Sequence, residues 1–445
     1  MPHVAMVPFT GFRVREEEML ALGMTLPGLA HRAAAVAQLP ALGLLTLAGL
    51  TPPHWTCSYH EADHASASLA DEIARQHPTL VALSALTASV EEAYRFSGLL
   101  RGRGMRVVIG GLHVTTCPEE AGRYCDAVVI GEGEPVWPAV LADAEAGELR
   151  PVYRASAPFD LARAPVPRFD LLGRGPRPRL TVQTQRGCPL ACEFCGASRL
   201  LGPHRLKPVA NLKRELAAIT AQVPRPVLEL ADDNTFAGGR NSHELLETLA
   251  AADARYFTEV DWRVGEDPGL LAGLAASGCV QVLIGIESLV FRHPGMGPKQ
   301  AELPRIMTAI DAIQSAGVAV IGCFIVGCDG ETFDSLDRLA AFIEASSLAD
   351  VQLTLQTPFP GTPLRRRLER EGRLLPGRGW SHCTLFDLTF RPDLMGIEEM
   401  ELAFRDLARR VFSPAQSVRR QAIRKRVWHN NPRLRPCASE PSSSS

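Results

Sequence analysis

The stretch Leu180–Ser198, LTVQTQRGCPLACEFCGAS, decides how the rest of the chain is read. An apolar run of strand type, Leu180–Gln185, leads straight into a loop that sets Cys188, Cys192 and Cys195 in a C-x3-C-x2-C spacing. Such tight spacing curls the backbone around one centre. Three thiolates can hold three irons of a four-iron cluster and leave the fourth iron open, whereas structural zinc sites almost always take four protein ligands. The alternative is a zinc knuckle, and no fourth Cys or His stands at the spacing it would need.

Downstream, apolar runs recur at Val227–Ala231, Thr258–Arg263, Val280–Ile286, Val318–Val326 and Val351–Gln356. Helical patterns separate them, among them Asn211–Val223, where Leu212, Leu216, Ile219 and Val223 share one face, and Ile306–Ile313. Six βα units predict a partial barrel with its reactive mouth at the C-terminal ends of the strands. Upstream, the runs His3–Pro8, Trp55–His60, Leu80–Leu86, Arg106–Gly110 and Ala127–Ile130 predict a separate Rossmann-like, doubly wound parallel sheet. Between the two, Pro151–Arg179 is rich in Pro and Arg, lacks a period and reads as a linker. From Gly396 to about Val427 the pattern is helical and increasingly basic, and the closing ASEPSSSS reads as a loose tail.

Composition narrows the function classes. The chain has 445 residues, 46% hydrophobic and 22% charged, which suits two folded units with a core each. A net charge of −2 and a pI near 6.6 are far from the basic balance of nucleic-acid-binding domains, so small-molecule or protein substrates are favoured. The apolar run Val36–Leu50 is shorter than a membrane span and contains Pro40, so it reads as core. No signal-peptide pattern opens the chain, and the eleven cysteines are scattered and odd in number, which fits a reducing cytoplasm with metal-bound thiolates better than disulfides.

The cysteine motif and the strand ends after it resemble the radical S-adenosylmethionine (SAM) superfamily, and the resemblance runs from Leu180 to about Phe390. It implies that Cys188, Cys192 and Cys195 hold a four-iron four-sulfur (4Fe-4S) cluster whose open iron chelates SAM, and that one electron cleaves SAM to methionine and a 5′-deoxyadenosyl radical. Phe194 matches the family's apolar residue before the third cysteine, where it shields the cluster edge. In LELADDNTF, Asp232 and Asp233 stand in for the acidic motif that receives the SAM ammonium, although an Asp pair can equally cap the next helix. In DWRVGED, Arg263 is placed to fork onto the SAM carboxylate, unless it is an ordinary ion-pair partner. QVLIGIESL resembles the ribose-binding strand, with Glu287 accepting from the sugar hydroxyls. GCFIVGCDGET resembles the adenine strand, with Ile325 and Gly327 as contacts and Cys328 as a small buried residue, and TPFPGTPL matches a turn signature of one large branch.

The upstream unit resembles a cobalamin-binding domain of the radical SAM class. Ser84-Ala85-Leu86 and Gly110-Gly111 look like its SxL and GG elements, and LGLLTLAGLTPPHW, GGLHVTTCPEE and VVIGEGEP follow in its order, adding Gly131 and Gly133. Small residues there let the backbone approach the buried nucleotide tail. The DxHxxG element that supplies an axial histidine in some cobalamin proteins is absent, the chain reading HEADHASAS instead. His60, His64 and His113 lack the motif's context, which implies unusual cobalt ligation.

These resemblances divide the chain into a cobalamin-binding-like domain at 1–152, a linker at 153–178, a radical SAM partial (β/α)6 barrel at 179–392, a helical extension at 393–430 and a tail at 431–445. They imply an enzyme using a 4Fe-4S cluster, SAM and cobalamin to methylate an unactivated carbon of a small molecule or natural product, with an electron donor such as flavodoxin or ferredoxin. One alternative is a rearrangement or cyclisation without methyl transfer. Another is a methylthiotransferase-like enzyme with a second cluster on Cys57, Cys117 and Cys125, whose uneven spacing and SxL and GG company speak against it. No nucleic acid and no membrane span are expected, and the location is expected to be cytoplasmic. Arg419, Arg420, Arg424, Lys425 and Arg426 read as a solvated helix face, or else as a docking surface.

Overall fold

The computed structural model describes residues 1–11, 13–26, 39–173, 179–238 and 242–434. The first sheet holds β1 (His3–Phe9), β2 (Thr56–Tyr59), β3 (Leu80–Ala85), β4 (Val107–Gly110), β5 (Ala127–Ile130) and β6 (Val152–Arg154), in the order β2-β1-β3-β4-β5-β6. All of its pairings are parallel. Such a sheet is covered on both faces, which explains the near-continuous apolar runs: Val4–Val7 and Leu80–Leu83 are all buried. The order reverses between β1 and β3, so the crevice at their C-terminal ends is where such a sheet takes a ligand.

The second sheet comprises β7 (Leu180–Val182), β10 (Val227–Leu230), β11 (Arg255–Val260), β12 (Cys279–Glu287), β13 (Ala319–Val326) and β14 (Asp350–Leu355). They lie side by side in chain order, all parallel, with helices between them. This is the six-unit open barrel that the alternation implies. A small hairpin of β8 (Gln185–Arg186) and β9 (Arg205–Leu206) stands beside the cysteine loop. The main core runs along the barrel's outer face, where the helices pack, and includes Leu212, Leu216, Ile310, Ile313, Leu336 and Leu339. Two helices, Ile397–Val411 and Pro414–His429, follow the barrel, and the second crosses the end where the strands begin: Trp428 Nε1 donates to the Val280 carbonyl at 2.8 Å.

Several expectations shift. The strand Leu180–Gln185 stops at Val182, and Gln185 belongs to the hairpin instead. The third barrel strand runs Arg255–Val260 rather than Thr258–Arg263, leaving Arg263 on the 3-10 turn Trp262–Glu266. The stretch read as a linker is packed chain: Val152–Arg154 pairs with β5, and Phe159, Leu161, Phe169 and Leu172 are buried. Most of the expected tail, 435–445, lies outside the described residues. Among the described residues no helix is long and apolar enough to cross a membrane.

Candidate functional site

The C-terminal ends of the barrel strands carry a dense polar rim built around the cysteine loop. Gly187 (φ +79°) turns the chain into this loop; a Cβ there would press on the carbonyls of Gly202 and Pro203 at 3.0–3.1 Å. The loop is tied to the segment after β12, since Ala191 N donates to Gly295 O and Glu193 N to Pro294 O, both at 3.0 Å. Cys192 is buried, while Cys188 and Cys195 are half-buried. Burial raises the Cys188 thiol and pushes Cys192 up to about 11, with the Lys299 ammonium pulling the other way on both. Thiols held out of water in this way ionise readily only beside a metal cation. Among the described residues no three His, Cys, Asp or Glu side chains converge as ligands of one ion. Three thiols on one short loop can supply one thiolate to each of three irons, whereas a structural zinc site takes four protein ligands.

The adjacent aspartates have different surroundings. Asp232 is buried with both oxygens engaged, taking Thr184 N at 2.7 Å, Gln185 N at 3.1 Å and Thr235 Oγ1 at 3.0 Å. It therefore ties the end of β10 to the start of the cysteine loop and is not the open carboxylate expected. Asp233 is half-buried, has no hydrogen-bond partner among the described residues, and is raised to about 6 by burial and by the Asp232 charge. Its charge is felt at Cys188, which places it at the mouth.

Arg263 also departs from expectation. Its guanidinium forks onto its own turn's Asp261, with Nε to Oδ1 at 3.1 Å and Nη2 to Oδ2 at 2.8 Å, so the bidentate face proposed for the SAM carboxylate is already taken.

Glu287 closes β12 in a left-handed conformation, φ +71°, after a register shift against β13. A non-glycine residue is strained there, and the turn aims its carboxylate into the mouth. Its Oε1 meets Lys299 Nζ at 2.5 Å in a largely buried pair, leaving Oε2 without a partner among the described residues. Gly285 leaves room for this pair, since a Cβ there would lie 2.0 Å from Glu287 Oε1 and 2.5 Å from Lys299 Nζ and would push both side chains aside. The Glu287 charge holds Lys299 ionised despite its burial. Lys299 lies in HPGMGPK, a loop with no spacing rule, and sequence reasoning passed over it.

Ile325 is half-buried on the lumen side of β13, and Gly327 follows at φ +89°, donating its N–H to Glu331 Oε2 at 2.6 Å. Cys328 is buried, as expected of a small core residue, but it meets the equally buried His293 Nε2 at 3.4 Å. His293 stands edge-on to Phe194, ring centroids 4.7 Å apart, and its Nδ1 is 3.7 Å from Glu193. Phe194 is thereby fixed beside the cysteine loop, which the sequence could not show because His293 lies 99 positions on.

The first sheet ends differently. Ser84 faces Gly110 across β3 and β4. Gly111 (φ +115°) holds a backbone conformation that side chains rarely adopt, and a Cβ there would sit tightly, 3.3 Å from Ser84 Oγ. Gly131 adopts φ +84°, and Leu47 lies 3.3 Å from where a Gly133 Cβ would be. Around these small residues Leu86 and Leu112 are exposed, 50% and 39%. A bare floor with apolar edges suits the close approach of a large organic ligand such as the cobalamin nucleotide tail. None of the three histidines named above stands open on it: His60 meets Ser58 Oγ at 2.9 Å, His64 pairs with Asp63, and His113 is buried against Trp380, 4.9 Å between centroids.

The two rims are joined by charges in GEGE, the segment that also supplies Gly131 and Gly133. Glu132 and Glu134 both hold Arg186, two residues before Cys188, and Glu132 also holds Arg205 at 3.0 Å. All four side chains are at most 18% exposed.

Comparison with known proteins agrees with both halves. Residues 29–141 match the B12 binding domain family and 182–343 the Radical SAM superfamily, together more than half of the chain. The chain is 29% identical to an uncharacterized methyltransferase of Synechocystis sp. over 76% of its length, and spans 64% of that relative. It is 25% identical to the bacteriochlorophyllide d C-12(1)-methyltransferase of Chlorobaculum tepidum, covering 78% of each chain. The structure of OxsB, a cobalamin-dependent S-adenosylmethionine radical enzyme, superposes with a TM-score of 0.67 at 16% identity, covering 91% of this chain and 66% of the other, which shows a shared fold.

Proposed function

The chain belongs to the cobalamin-binding radical SAM superfamily, and from that membership we propose that it methylates an unactivated carbon of a small organic substrate. Its cofactors are SAM, a 4Fe-4S cluster and cobalamin. When bound, they supply hydrogen-atom abstraction and methyl delivery, and the protein's part is to hold them in register.

Cys188, Cys192 and Cys195 would each hold one iron. Asp233, the open member of its pair, would take the SAM ammonium, while Asp232 fixes the loop that carries the cysteines. Glu287 would accept from the ribose hydroxyls through its free Oε2, steadied by Lys299 on Oε1. Ile325 and Gly327 would touch the adenine, and Phe194 would cover the cluster edge. Ser84, Leu86, Gly110, Gly111, Gly131 and Gly133 would receive the cobalamin tail. Arg263, engaged by Asp261, would act by shaping its turn rather than by binding SAM.

The observation that carries this reading is the junction of the two rims. The segment holding Gly131 and Gly133 grips the cysteine loop through Glu132, Glu134 and Arg186, which favours two cofactors working on one substrate between them. Each methylation replaces one C–H hydrogen by a methyl group. It converts one SAM to S-adenosylhomocysteine and another to methionine and 5′-deoxyadenosine, and takes two electrons from a flavodoxin- or ferredoxin-class donor.

The test is anaerobic turnover with SAM labelled in its methyl group, first with bacteriochlorophyllide d, on which the Chlorobaculum relative is named to act, then with fractionated small-molecule extracts. Near-equal S-adenosylhomocysteine and 5′-deoxyadenosine, with label in the product, is the expected result. 5′-Deoxyadenosine with an unmethylated, rearranged product would replace this reading by the rearrangement one.

A further inference from the structure

At the opposite end of the barrel, where the strands begin, lies a chamber of about 910 Å³ between β10–β14 and the helix Pro414–His429. That volume is in the range of small-molecule sites. Phe257, Leu283, Ile321 and Trp428 give it apolar walls. Its charged groups are not all satisfied. Arg420 is only 4% exposed; it stacks on Phe412, donates Nη2 to the Val411 carbonyl, and leaves Nη1 buried with no hydrogen-bond partner among the described residues. Asp350 does not neutralise it. The Arg420 Nε stands 3.9 Å from that carboxylate, and Arg424 approaches the same group at 3.2 Å, so two guanidiniums share one acid. Lys425 adds a further cation to the lining, while Arg179 is used by Glu229 at 2.9 Å.

The inner end has the opposite character. Protein surrounds Glu259 on every side, yet its side chain is accessible, which is what a group facing an internal chamber shows. Its carboxylate has no hydrogen bond or ion pair among the described residues, and burial pushes it up to about 7. A buried guanidinium N–H left unpaired is unfavourable, and a ligand oxygen would remove that cost.

We infer that this chamber is a binding site for an apolar carboxylic acid, its carboxylate on Arg420 and its body along Phe257, Leu283, Ile321 and Trp428. None of the chamber's lining residues is on the cysteine loop, and at its inner end Glu259 feels the charges of Asp233, Lys299 and Glu287. The helix segment that reads in sequence as a solvated basic face is thereby part of a ligand wall.

Full-length protein titrated with 1-anilinonaphthalene-8-sulfonate tests this, with displacement by sub-micellar dodecanoate, dodecanol and dodecylammonium. Dodecanoate is expected to displace the dye at a concentration about tenfold lower than dodecanol or less, as a charge-assisted bond to a buried arginine implies. Arg420→Gln should erase that preference. So should Ser417→Glu, which puts an acid one helical turn before Arg420 on the chamber wall and serves as the second variant if Arg420→Gln fails to fold. The preference should survive conversion of Cys188, Cys192 and Cys195 to Ala, which separates it from the proposed reaction. Equal displacement by acid and alcohol in the wild type, or a preference that survives Ser417→Glu, overturns the inference.

Discussion

The two sheets present opposite kinds of edge. At the ends of β3–β5 the residues singled out are Ser84, Gly110, Gly111, Gly131 and Gly133, without a charge among them and with Gly111 and Gly131 in backbone regions that side chains avoid. At the ends of the barrel strands stand three thiols, Asp232, Asp233, Asp261, Glu287 and Lys299, of which Asp232, Asp261, Glu287 and Lys299 are held by hydrogen bonds. One edge removes side chains so that a bulky, mostly neutral ligand can reach the backbone. The other fixes charges in advance so that a small, highly charged ligand meets them already oriented. Both edges depend on strands buried on both faces, because only a rigid sheet holds either kind in place.

If the barrel edge works through fixed charge, disturbing one charge should cost more than an equal change on the glycine edge. Glu287→Gln keeps the shape but weakens the hold on Lys299 and the ribose contact. It is expected to lower 5′-deoxyadenosine formation about 100-fold, with much less effect on S-adenosylhomocysteine, as quenched-flow product analysis would show. Equal loss of both products would place Glu287 in general folding instead. On the glycine edge, Gly111→Val meets Ser84 Oγ and forces φ +115° on a β-branched residue. Cobalamin affinity should fall about tenfold or more, from about 1–3 kcal/mol of strain, while iron binding stays. Equilibrium dialysis reads the first and iron assay the second.

The junction between the edges should matter less than either. Glu132→Gln leaves Arg186 and Arg205 without their shared acid. The expected cost is up to about 3 kcal/mol of stability with both cofactors still bound, and a several-fold drop in the fraction of 5′-deoxyadenosine that ends in methylated product. Unchanged coupling would mean that the two units act without this tie.

An effect on stability alone concerns Glu331, buried behind Gly327 and raised to about 8 chiefly by burial. Between about pH 4.5 and 8 the folded protein keeps a proton that the unfolded chain has released. Its contribution to stability is therefore full below about 4.5 and is lost as pH rises through 8. Glu331→Gln should remove that dependence, so the wild type should lose about 2–4 kcal/mol more than the variant between pH 5 and 8.5 in chemical denaturation. Parallel pH profiles would contradict the assignment.

What the sequence shows and what it hides follow the same division. The cysteine loop, the glycine-bearing turns and the strand runs are local patterns, and each follows a strand end as its spacing implies, although the strands Leu180–Gln185 and Thr258–Arg263 have shifted bounds. The Asp232 and Asp233 roles were not separable, because β10 ends at Leu230 and the alternation that would orient them ends with it. Arg263 was misplaced by a strand boundary: β11 ends at Val260, and Asp261 opens a turn that captures the arginine. Lys299, His293 and the grip of Glu132 and Glu134 on Arg186 are meetings of distant segments and leave no period to read. Arg420 shows the same limit, since an arginine-rich helix reads as solvated until the barrel it covers is in place.

Cofactor content in crossed variants tests the central claim, two independent edges with one cofactor set each, most directly. After anaerobic reconstitution with iron, sulfide and cobalamin, the wild type should hold about four irons and one cobalamin per chain. The Cys188, Cys192 and Cys195 triple Ala variant should lose the iron and keep the cobalamin, and Gly111→Val should do the reverse. Iron retained by the triple variant, or cobalamin bound as tightly by Gly111→Val as by the wild type, would contradict the account.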